Sequence, residues 1–539
     1  MAQDFIWWKH GVFYQIYPRS FQDSNGDGVG DLQGIIDKLD YLVELGIDAI
    51  WISPIFPSPM ADFGYDVSDY TDIHPLFGDL ATFDRLLEAA HARNIHIVLD
   101  YVPNHTSDEH PWFIESRSSR DNPKRDWYVW SDTDQRYGDA RIIFLDVEGS
   151  NWTFDEVSGQ YYWHRFYSSQ PDLNFDNPEV RAEMLKVADF WMEYGLDGFR
   201  ADAVPYLIER EGTNCENLPE THQFLKELRA HMDRKWKDRI LLCEANQWPE
   251  DVRPYFGDDD EFHMGFHFPV MPRLYMALKQ QSRSSIVDIM QRTPEIPAGT
   301  QWCMFLRNHD ELTLEMVTPQ ERDFMWDQYA PEPRMRLNLG IRRRLAPLLD
   351  NDQRRIRLLN GLLFTLPGSP IVYYGDEIGM GDNIWLEDRH GVRTPMQWDA
   401  SFNSGFSPCQ PTYSPIIDDA VYGYQKVNVE AQRTDANSIF NFMKHMIKVR
   451  KQHLAFGLGT FDFVLPDNEA VLSYWRSDER ERFLVAANLT DAVQTAVYSL
   501  AEFAGTIPHD ILTDQAFPPI GAGDYTISLA PYQFVWLKF

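Results

Sequence analysis

Short apolar runs alternate with longer helical patterns between residue 13 and about residue 375. Helical periodicity is clearest at 178–194, 221–236 and 352–364. Near-continuous apolar strands that are joined through helices indicate a parallel sheet buried on both faces. Seven apolar runs can be identified in this region, and they lie at 13–21, 48–53, 95–102, 197–201, 240–245, 302–309 and 369–375.

An eighth strand is expected near 261–268, and eight such units close most simply into a barrel. The alternative is an open doubly wound sheet, which usually carries a Gly-rich phosphate-binding turn after its first strand. No such turn follows residues 13–21. We therefore predict an α/β fold, a (β/α)8 TIM barrel.

Two segments depart from this pattern. Residues 106–172 are polar and aromatic and too long for a simple loop, so we predict a small domain inserted after strand 3. After about residue 455 the chain alternates apolar and polar positions without long helices, which predicts a C-terminal antiparallel β-domain. The predicted domains are a barrel from 1–105 and 173–455, an inserted domain at 106–172 and a β-sandwich at 456–539.

The amino-acid composition of the chain excludes some classes of protein and of binding partner. Of the 539 residues, 44% are hydrophobic and 14% aromatic, which supports a sizeable core and excludes a disordered protein. The formal net charge is −33, and so negative a surface repels phosphate backbones, so we expect no nucleic-acid partner. The chain has no signal-peptide pattern and no apolar run of membrane-spanning length. We expect no membrane partner and a cytoplasmic location.

The four cysteines are dispersed and form no CxxC pair. Neither a disulfide framework nor a zinc site follows from such spacing. They are Cys215, Cys243, Cys303 and Cys409.

Three acids follow strongly apolar strands, namely Asp202, Glu244 and Asp310. In a barrel of this kind the C-terminal ends of the strands form the reactive face, so the three side chains are expected to meet at one mouth. Each acid alone has a structural interpretation as an ion-pair partner. Their convergence with Arg200, two residues before the first of them, favours a catalytic site.

Cleavage of an acetal between two sugars requires such a set. One protonated carboxyl assists the leaving oxygen, while one ionised carboxylate attacks the anomeric carbon, and the configuration is retained. Arg200 lies on the same side of its strand as Asp202 and favours the charged form of that carboxyl. Glu244 follows the apolar run 240–243, where burial favours the protonated form. Asp310 is then free to accept hydrogen bonds from sugar hydroxyls.

Four motifs resemble, in chain order, the signature regions of the α-amylase family of glycoside hydrolases and transferases. They are DYVPNH at 100–105, GFRADAV at 198–204, Glu244 and FLRNHD at 305–310. The resemblance extends from about residue 10 to the C-terminus. It implies Asp202 as the nucleophile, Glu244 as the general acid and base, and Asp310 as the stabiliser of the transition state.

The same resemblance implies further contacts to the glucosyl unit. Tyr65 and Asp66, in the segment FGYDVSDY, are similar to the stacking platform and the residue that binds the non-reducing glucose in this family. The other residues implied to bind substrate are His105, Gln170, Arg200 and His309.

Longer segments resemble the branch of the family that interconverts maltose and trehalose, at 211–229, 321–352, 381–399 and 421–432. Such an isomerisation requires that the freed glucose turn before water enters, so the pocket must be closed. We expect 321–352 and 381–399 to supply that closure, with Arg393 and Glu387 among their polar groups. The alternative is that these segments pack the barrel or form a dimer contact.

Two metal sites are expected, both structural. Residues 23–31, DSNGDGVGD, have the spacing of oxygen ligands that suits Ca²⁺ or Mg²⁺, although Gly34 stands where an EF-hand has glutamate. A plain Asx-rich turn is the alternative. The ligands predicted in this loop are Asp23, Asn25, Asp27, the Val29 carbonyl and Asp31. The resemblance implies a second site, formed by Asn104, Asp172, Glu209 and the carbonyls of Tyr206 and Leu207.

Several alternatives stay open at this point. An α-glucosidase or a sucrose isomerase of the same family would carry the same acids. A non-catalytic sugar-binding barrel is a more remote alternative, since it would be expected to lack some of them. No organic cofactor is expected, a small disaccharide is the expected ligand, and self-association into a homodimer or homotetramer is left open.

Overall fold

A computed structural model describes residues 5–539 as a barrel with two additions. Eight parallel strands close into a barrel in which β1 pairs with both β2 and β8. The predicted α/β fold, a (β/α)8 barrel, is therefore confirmed. The strands are β1 (Phe13–Ile16), β2 (Ala49–Ile52), β3 (His96–Tyr101), β4 (Gly198–Ala201), β5 (Ile240–Cys243), β6 (Met264–Phe266), β7 (Gln301–Phe305) and β8 (Ser369–Tyr373).

The strands are short and almost wholly buried, because each is covered by helices outside and by side chains inside the barrel. Several helices begin at side-chain caps, such as Asp79, which accepts a hydrogen bond from the backbone of Thr82. The longer barrel helices are Leu80–His91, Pro178–Glu193, Pro219–Lys235, Val270–Gln280, Ser284–Arg292, Gln353–Leu363 and Ile439–Gln452.

The inserted domain follows β3 and packs at the mouth of the barrel. It contains the helix Pro111–Ser118 and a three-stranded antiparallel sheet. The two chain segments that connect it to the barrel pair with each other, since Leu173 N donates to Asn104 O at 2.9 Å. Its strands are Trp130–Ser131, Trp152–Asp155 and Gln160–Trp163.

The C-terminal region is an antiparallel β-domain with its own core, as predicted. One sheet has six strands and a second has two, Gln494–Tyr498 and Tyr525–Leu529. Arg476, which is buried, donates to the carbonyls of Thr365 and Ala455 and so joins this domain to the barrel. The strands of the larger sheet are Thr460–Phe463, Val471–Ser477, Arg482–Asn488, Phe534–Lys538, His509–Asp510 and Gln515–Ala516.

The segment after β7 forms a further layer beside the mouth. It contains the helix Pro319–Tyr329, which begins with a capping box at Thr318, and a small sheet of three two-residue strands. Those strands are Leu312–Thr313, Arg336–Leu337 and Gly340–Ile341. Within residues 5–539, none of the helices is both long and apolar enough to cross a membrane.

Candidate active site

The two principal acids extend the barrel ladder by one residue beyond its strands. Asp202 N donates to Tyr101 O at 2.8 Å, and Glu244 N donates to Ala201 O at 3.0 Å. These backbone bonds fix the Cα positions of both acids at the C-terminal rim of β4 and β5. The two side chains therefore start from backbone that is held by the barrel sheet.

Arg200 holds these acids together from below. Its Nη1 donates to Asp100 Oδ1 and to Asp202 Oδ1, both at 2.5 Å, and its Nη2 forms an ion pair with Glu244. Burial raises the pKa of Asp202 to about 6 and that of Glu244 to about 8, while Arg200 opposes both shifts. Glu244 is therefore the carboxyl that keeps its proton when Asp202 is ionised.

Asp310 lies among positive groups across the mouth. Its Oδ1 accepts from Arg389 Nη1 at 2.9 Å and from Arg393 Nη2 at 3.0 Å, and its Oδ2 is 3.3 Å from His309 Nε2. Burial opposes ionisation, but the guanidinium groups of Arg389, Arg393 and Arg200 hold the pKa of Asp310 well below its usual value. Asp310 is thus a permanent anion at the pocket.

Neutral rings form one wall of the pocket. The ring of Tyr65 stacks on His309 with centroids 5.4 Å apart, and its hydroxyl is 2.7 Å from His309 Nε2. Burial lowers the pKa of His105 to about 3 and that of His309 well below its usual value. Both imidazoles are therefore neutral donors or acceptors for sugar hydroxyls.

The structure does not place Asp66 in the pocket, contrary to the expected contact with glucose. Its carboxylate is fully buried and accepts hydrogen bonds from the Ser58 hydroxyl and from the Ala61 and Asp62 amides, at 2.8 to 2.9 Å. Those bonds build the turn that presents Asp62, which does line the pocket. The sequence prediction of Asp66 was therefore wrong by four residues. The turn points the carboxylate of Asp66 into the protein and places Asp62 at the pocket.

Asp62 is held in place by two partners. Arg389 Nη2 donates to its Oδ1 at 2.8 Å, and Gln170 Nε2 donates to its Oδ2 at 3.1 Å. Gln170 and Arg200 therefore act behind the lining residues, whereas Tyr65, His105 and His309 line the pocket itself. Arg393 also lies behind the wall, with its Nε donating to His309 O at 2.7 Å.

The outer part of the pocket contains residues that the sequence reasoning missed. Glu311 and Glu315 lie one and five residues after Asp310, and Asn246 lies two residues after Glu244, so position in the chain was an available signal. Asp62 and Arg389 carried no such signal, and the sequence predicts Tyr206 only as a metal ligand. The full lining is Asp62, Tyr65, His105, Ile143, Phe144, Phe166, Asp202, Ala203, Tyr206, Glu244, Asn246, Phe268, Asn308, His309, Asp310, Glu311, Thr313, Glu315 and Arg389.

Arg141 of the inserted domain closes one side of the entrance. Its Nε is 2.8 Å from Glu216, its Nη1 is 2.7 Å from Glu315, and its Nη2 donates to the Tyr206 hydroxyl at 3.2 Å. A second contact joins the same domain to the segment after β7, since Asn338 N donates to Asp146 Oδ2 at 2.7 Å. The inserted domain is thus tied to the barrel directly above the acids.

The two segments expected to cover the pocket contribute unequally. Segment 381–399 supplies Arg389 and Arg393, but Glu387 is exposed to solvent and is no part of the pocket. Among the described residues, none of the lining side chains comes from 321–352. That segment acts indirectly, because Asn338 Nδ2 contacts Glu311 at 3.3 Å.

The predicted second metal site has the donors for a hard cation. Asn104 Oδ1, Asp172 Oδ2 and Glu209 Oε1 are buried, and within residues 5–539 they accept no hydrogen bond. Burial raises the pKa of Asp172 to about 8 and that of Glu209 well above its usual value. Unpaired buried oxygens of this kind fit Ca²⁺, and the cation would supply structure rather than chemistry. Tyr206 and Leu207 lie just before Glu209 in the chain.

The loop 23–31 fits less clearly. Asp23, Asn25 and Asp27 accept hydrogen bonds from amides of their own loop, and Asp31 caps the helix Leu32–Asp37 by accepting from Gly34 N at 2.7 Å. These are the contacts of an Asx-rich turn, although a cation can share such oxygens. Across the described chain, no cluster of three or more His, Cys, Asp or Glu side chains has the form of a metal site.

Comparison of the sequence with known proteins identifies the family of this chain. The sequence model described as the α-amylase catalytic domain matches residues 15–328 and 341–459. The chain belongs to the α-amylase family. A second model, the C-terminal domain of maltogenic amylase, matches residues 461–536 and so covers the β-domain of this α-amylase family member.

Individual members of the α-amylase family match over the whole chain. A protein named trehalose synthase from Pimelobacter sp. is 53% identical, over 99% of this chain and 96% of the relative. The trehalose synthase/amylase of Mycolicibacterium smegmatis is 54% identical, over 100% and 93%. The crystal structure of isomaltulose synthase from Klebsiella sp. LX3 superposes with a TM-score of 0.80 at 30% identity, covering 99% of both chains.

Proposed function

We propose that this chain interconverts maltose and trehalose by moving a glucosyl unit within one bound disaccharide. The observation that carries the proposal is the 53% identity, over nearly the full length, to a protein named trehalose synthase. The pocket supports the chemistry, since a buried pair of carboxyls and a permanently ionised third acid are the set that retaining glucosyl transfer requires. Hydrolysis to glucose is a minor side reaction.

The first half-reaction forms a covalent glucosyl-enzyme. Glu244 donates its proton to the glycosidic oxygen of maltose while Asp202 attacks the anomeric carbon. The glycosidic C–O bond breaks, an ester C–O bond forms, and glucose is released within the pocket. Asp310 accepts hydrogen bonds from hydroxyls of the distorted ring and stabilises its developing positive charge.

The second half-reaction reverses these roles around a turned glucose. The freed glucose presents its anomeric hydroxyl, and Glu244, now ionised, takes the proton from that hydroxyl. The hydroxyl oxygen attacks the anomeric carbon of the ester, the bond to Asp202 breaks, and trehalose is formed. Two inversions at the anomeric carbon leave the α configuration.

Closure of the pocket separates this function from hydrolysis. The contacts of Arg141 with Glu216 and Glu315 hold the inserted domain over the outer half of the pocket, where the freed glucose must turn. Phe144 and Phe166 of that domain add apolar wall. Exclusion of water from this space favours glucose over water as the acceptor.

An α-glucosidase or a sucrose isomerase is the second candidate. The structural similarity to isomaltulose synthase, at 30% identity and a TM-score of 0.80, supports the isomerase alternative. The catalytic acids do not distinguish these activities. Product analysis with maltose and with sucrose does.

We also propose a structural Ca²⁺ bound by Asn104, Asp172, Glu209 and the carbonyls of Tyr206 and Leu207. The unpaired buried oxygens described above support it. A second cation at 23–31 rests on the spacing of its oxygens alone, and Mg²⁺ is an alternative there.

A cytoplasmic location is proposed from the cysteines. All four are free thiols, and Cys215, Cys243 and Cys303 are buried. Free buried thiols are typical of proteins kept in a reducing compartment. The partner we propose is the disaccharide, and a homodimer or homotetramer remains an open alternative to a monomer.

The decisive experiment is chromatography of the products formed by the purified chain from maltose. We expect trehalose as the main product, with a small amount of glucose. The Asp202→Asn variant should lose roughly three orders of magnitude in turnover, because the ester cannot form. Glucose as the only product would contradict isomerisation, and normal turnover by Asp202→Asn would contradict the covalent route.

A further inference from the structure

Asp100 lies directly behind the reacting acids, and its carboxylate accepts hydrogen bonds from two side chains. Its Oδ1 accepts from Arg200 Nη1 at 2.5 Å, and its Oδ2 accepts from the indole N–H of Trp51 at 2.7 Å. Both Asp100 and Trp51 are fully buried. The same Arg200 nitrogen also donates to Asp202 at 2.5 Å, so Asp100 and the nucleophile share one corner of the guanidinium.

We propose that Trp51 is a positioning residue for glucosyl transfer: its indole N–H keeps Asp100 ionised, and ionised Asp100 limits how strongly Arg200 acts on the reacting carboxyls. Trp51 packs against Phe266 and His309, with centroid separations of 5.6 and 5.7 Å, and in the described chain it is not among the lining residues. The inference rests on the transfer chemistry proposed above and not on which isomer is produced.

The charges around Asp100 give the direction of the effect. Arg200 faces it from β4, Asp202 and Glu244 face it from just beyond the ends of β4 and β5, and Tyr65 faces it from the loop after β2. Burial raises the pKa of Asp100 to about 6, while Arg200 and the Trp51 N–H oppose that shift. The pKa of the Tyr65 hydroxyl lies well above its usual value, so this group stays neutral.

Loss of the indole N–H therefore has a defined consequence. The pKa of Asp100 rises further, and the carboxyl becomes protonated near neutral pH. Arg200 then has one negative neighbour fewer, so its positive charge acts more strongly on Asp202 and Glu244. The pKa of both reacting carboxyls falls, since ionised Asp100 raises the pKa of Asp202 and repels ionised Glu244.

The test is the pH dependence of kcat/KM for maltose consumption by Trp51→Phe, which keeps a buried ring but lacks the N–H. We expect both limbs of the profile to move towards acid by on the order of one pH unit, as for the loss of one buried charge nearby. Consumption of maltose reports the transfer step whichever product forms. A chain that yields only glucose would thus contradict isomerisation without affecting this test.

Asp100→Asn supplies the second arm, because it removes the same charge directly. We expect a shift in the same direction, and no additional shift in the double variant Trp51→Phe/Asp100→Asn, since Trp51 acts through Asp100. Asp100→Asn tests the charge step without relying on the folding of Trp51→Phe, whereas a folded Trp51→Phe with an unshifted profile overturns the role of Trp51. An unshifted profile in Asp100→Asn, or a shift by Trp51→Phe that adds fully in the double variant, overturns the proposal.

Trp191→Phe is the matched control. Trp191 is also fully buried and its indole N–H also has one acceptor, the Tyr70 carbonyl at 2.7 Å, but it has no contact with the catalytic acids. Both Trp variants should lower the melting temperature. Only Trp51→Phe should move the pH profile, and an equal shift in Trp191→Phe would reduce the effect to general loosening of the core and overturn the proposal.

Discussion

Asp202 and Glu244 contact the same buried guanidinium, yet burial raises the pKa of Glu244 further. The difference has a structural reason. Asp202 accepts a hydrogen bond from Arg200 and one from Glu244, whereas the neighbouring negative charges of Asp202 and Asp310 add to the burial of Glu244. At the scale of single residues, the shared proton therefore belongs to Glu244, and the order of the two carboxyls as nucleophile and acid follows from their surroundings.

The activity is expected to have a bell-shaped pH profile centred near neutral pH. Asp202 must be ionised, and its pKa, raised to about 6, sets the acid limb. Glu244 must be protonated, and its pKa, raised to about 8, sets the basic limb. Both limbs lie above the usual carboxyl range because both pKa values are raised. The measurement is kcat/KM for maltose between pH 4 and pH 10.

Glu244→Gln separates the two limbs. With an aryl glucoside whose leaving group needs no proton, formation of the glucosyl-enzyme by this variant should keep the acid limb and lose the basic one. The burst of released aryl alcohol measures that step. A basic limb that persists in Glu244→Gln would assign it to another group and contradict the proposed role of Glu244.

At the scale of elements, the pocket is closed by segments that lie far apart in the chain. Arg141 belongs to the inserted domain, Glu216 to the segment after β4, and Glu315 to the segment after β7. Arg389, from the segment after β8, joins Asp62 to Asp310. Five connections at the barrel mouth, after β2, β3, β4, β7 and β8, thus meet through two arginines, and movement of the inserted domain requires the Arg141 ion pairs to break.

Arg141→Gln should therefore shift the enzyme from isomerisation towards hydrolysis. The ratio of trehalose to glucose formed from maltose is expected to fall about tenfold, which corresponds to about 1.4 kcal/mol in the competition between glucose and water. Chromatography of early products measures it. Arg136→Gln is the control, since Arg136 belongs to the same domain but forms an exposed pair with Glu211. Equal ratios in the two variants would contradict closure by Arg141.

The sequence predicts that Asp202, Glu244 and Asp310 converge, because each follows an apolar strand and the ends of barrel strands meet by geometry alone. It does not predict Arg389, whose partner Asp62 lies 327 positions away. Nor does it distinguish Asp62 from Asp66, because the choice depends on a turn that the Asp66 carboxylate itself builds. The pattern of apolar residues along the chain shows where each strand ends. Side-chain pairs between loops cannot be predicted in this way, because they depend on how several elements are arranged in the folded protein.

At the scale of the whole molecule, the barrel connects to its two additions in different ways. The C-terminal domain docks through buried arginine, as Arg476 shows. The inserted domain connects through two crossing segments, near Asn104 and Asp172, and both carry an unpaired buried oxygen at the crossing. Asp172 and Glu209 are buried at this junction, so without a cation their ionised forms are unfavourable, and burial raises the pKa of both carboxyls. The stability of this junction therefore depends on whether a cation or a proton neutralises the two buried carboxylates.

Added Ca²⁺ should raise the melting temperature of chelator-treated protein. At a concentration 100 times the dissociation constant the gain is about 2.7 kcal/mol in the free energy of unfolding. Without the ion, the pKa of Asp172 lies at about 8 in the folded protein. That value exceeds the pKa of about 4 in the unfolded chain, so the carboxyl ionises more readily when the protein is unfolded. The free energy of unfolding therefore falls progressively as pH rises from about 4 to about 8. Calorimetry with and without Ca²⁺ at several pH values measures both effects.

Asp172→Asn removes the acid but keeps an oxygen in its place. The variant should lose most of the Ca²⁺-dependent gain, and without metal it should be at least as stable as the parent at pH 8, because the amide at position 172 has no buried charge to ionise. Glu109→Gln, an equal charge change on the exposed surface of the inserted domain, should behave like the parent. If the gain survives in Asp172→Asn and disappears in Asp27→Asn, the cation binds in loop 23–31 instead, and the junction must be held by protein contacts alone.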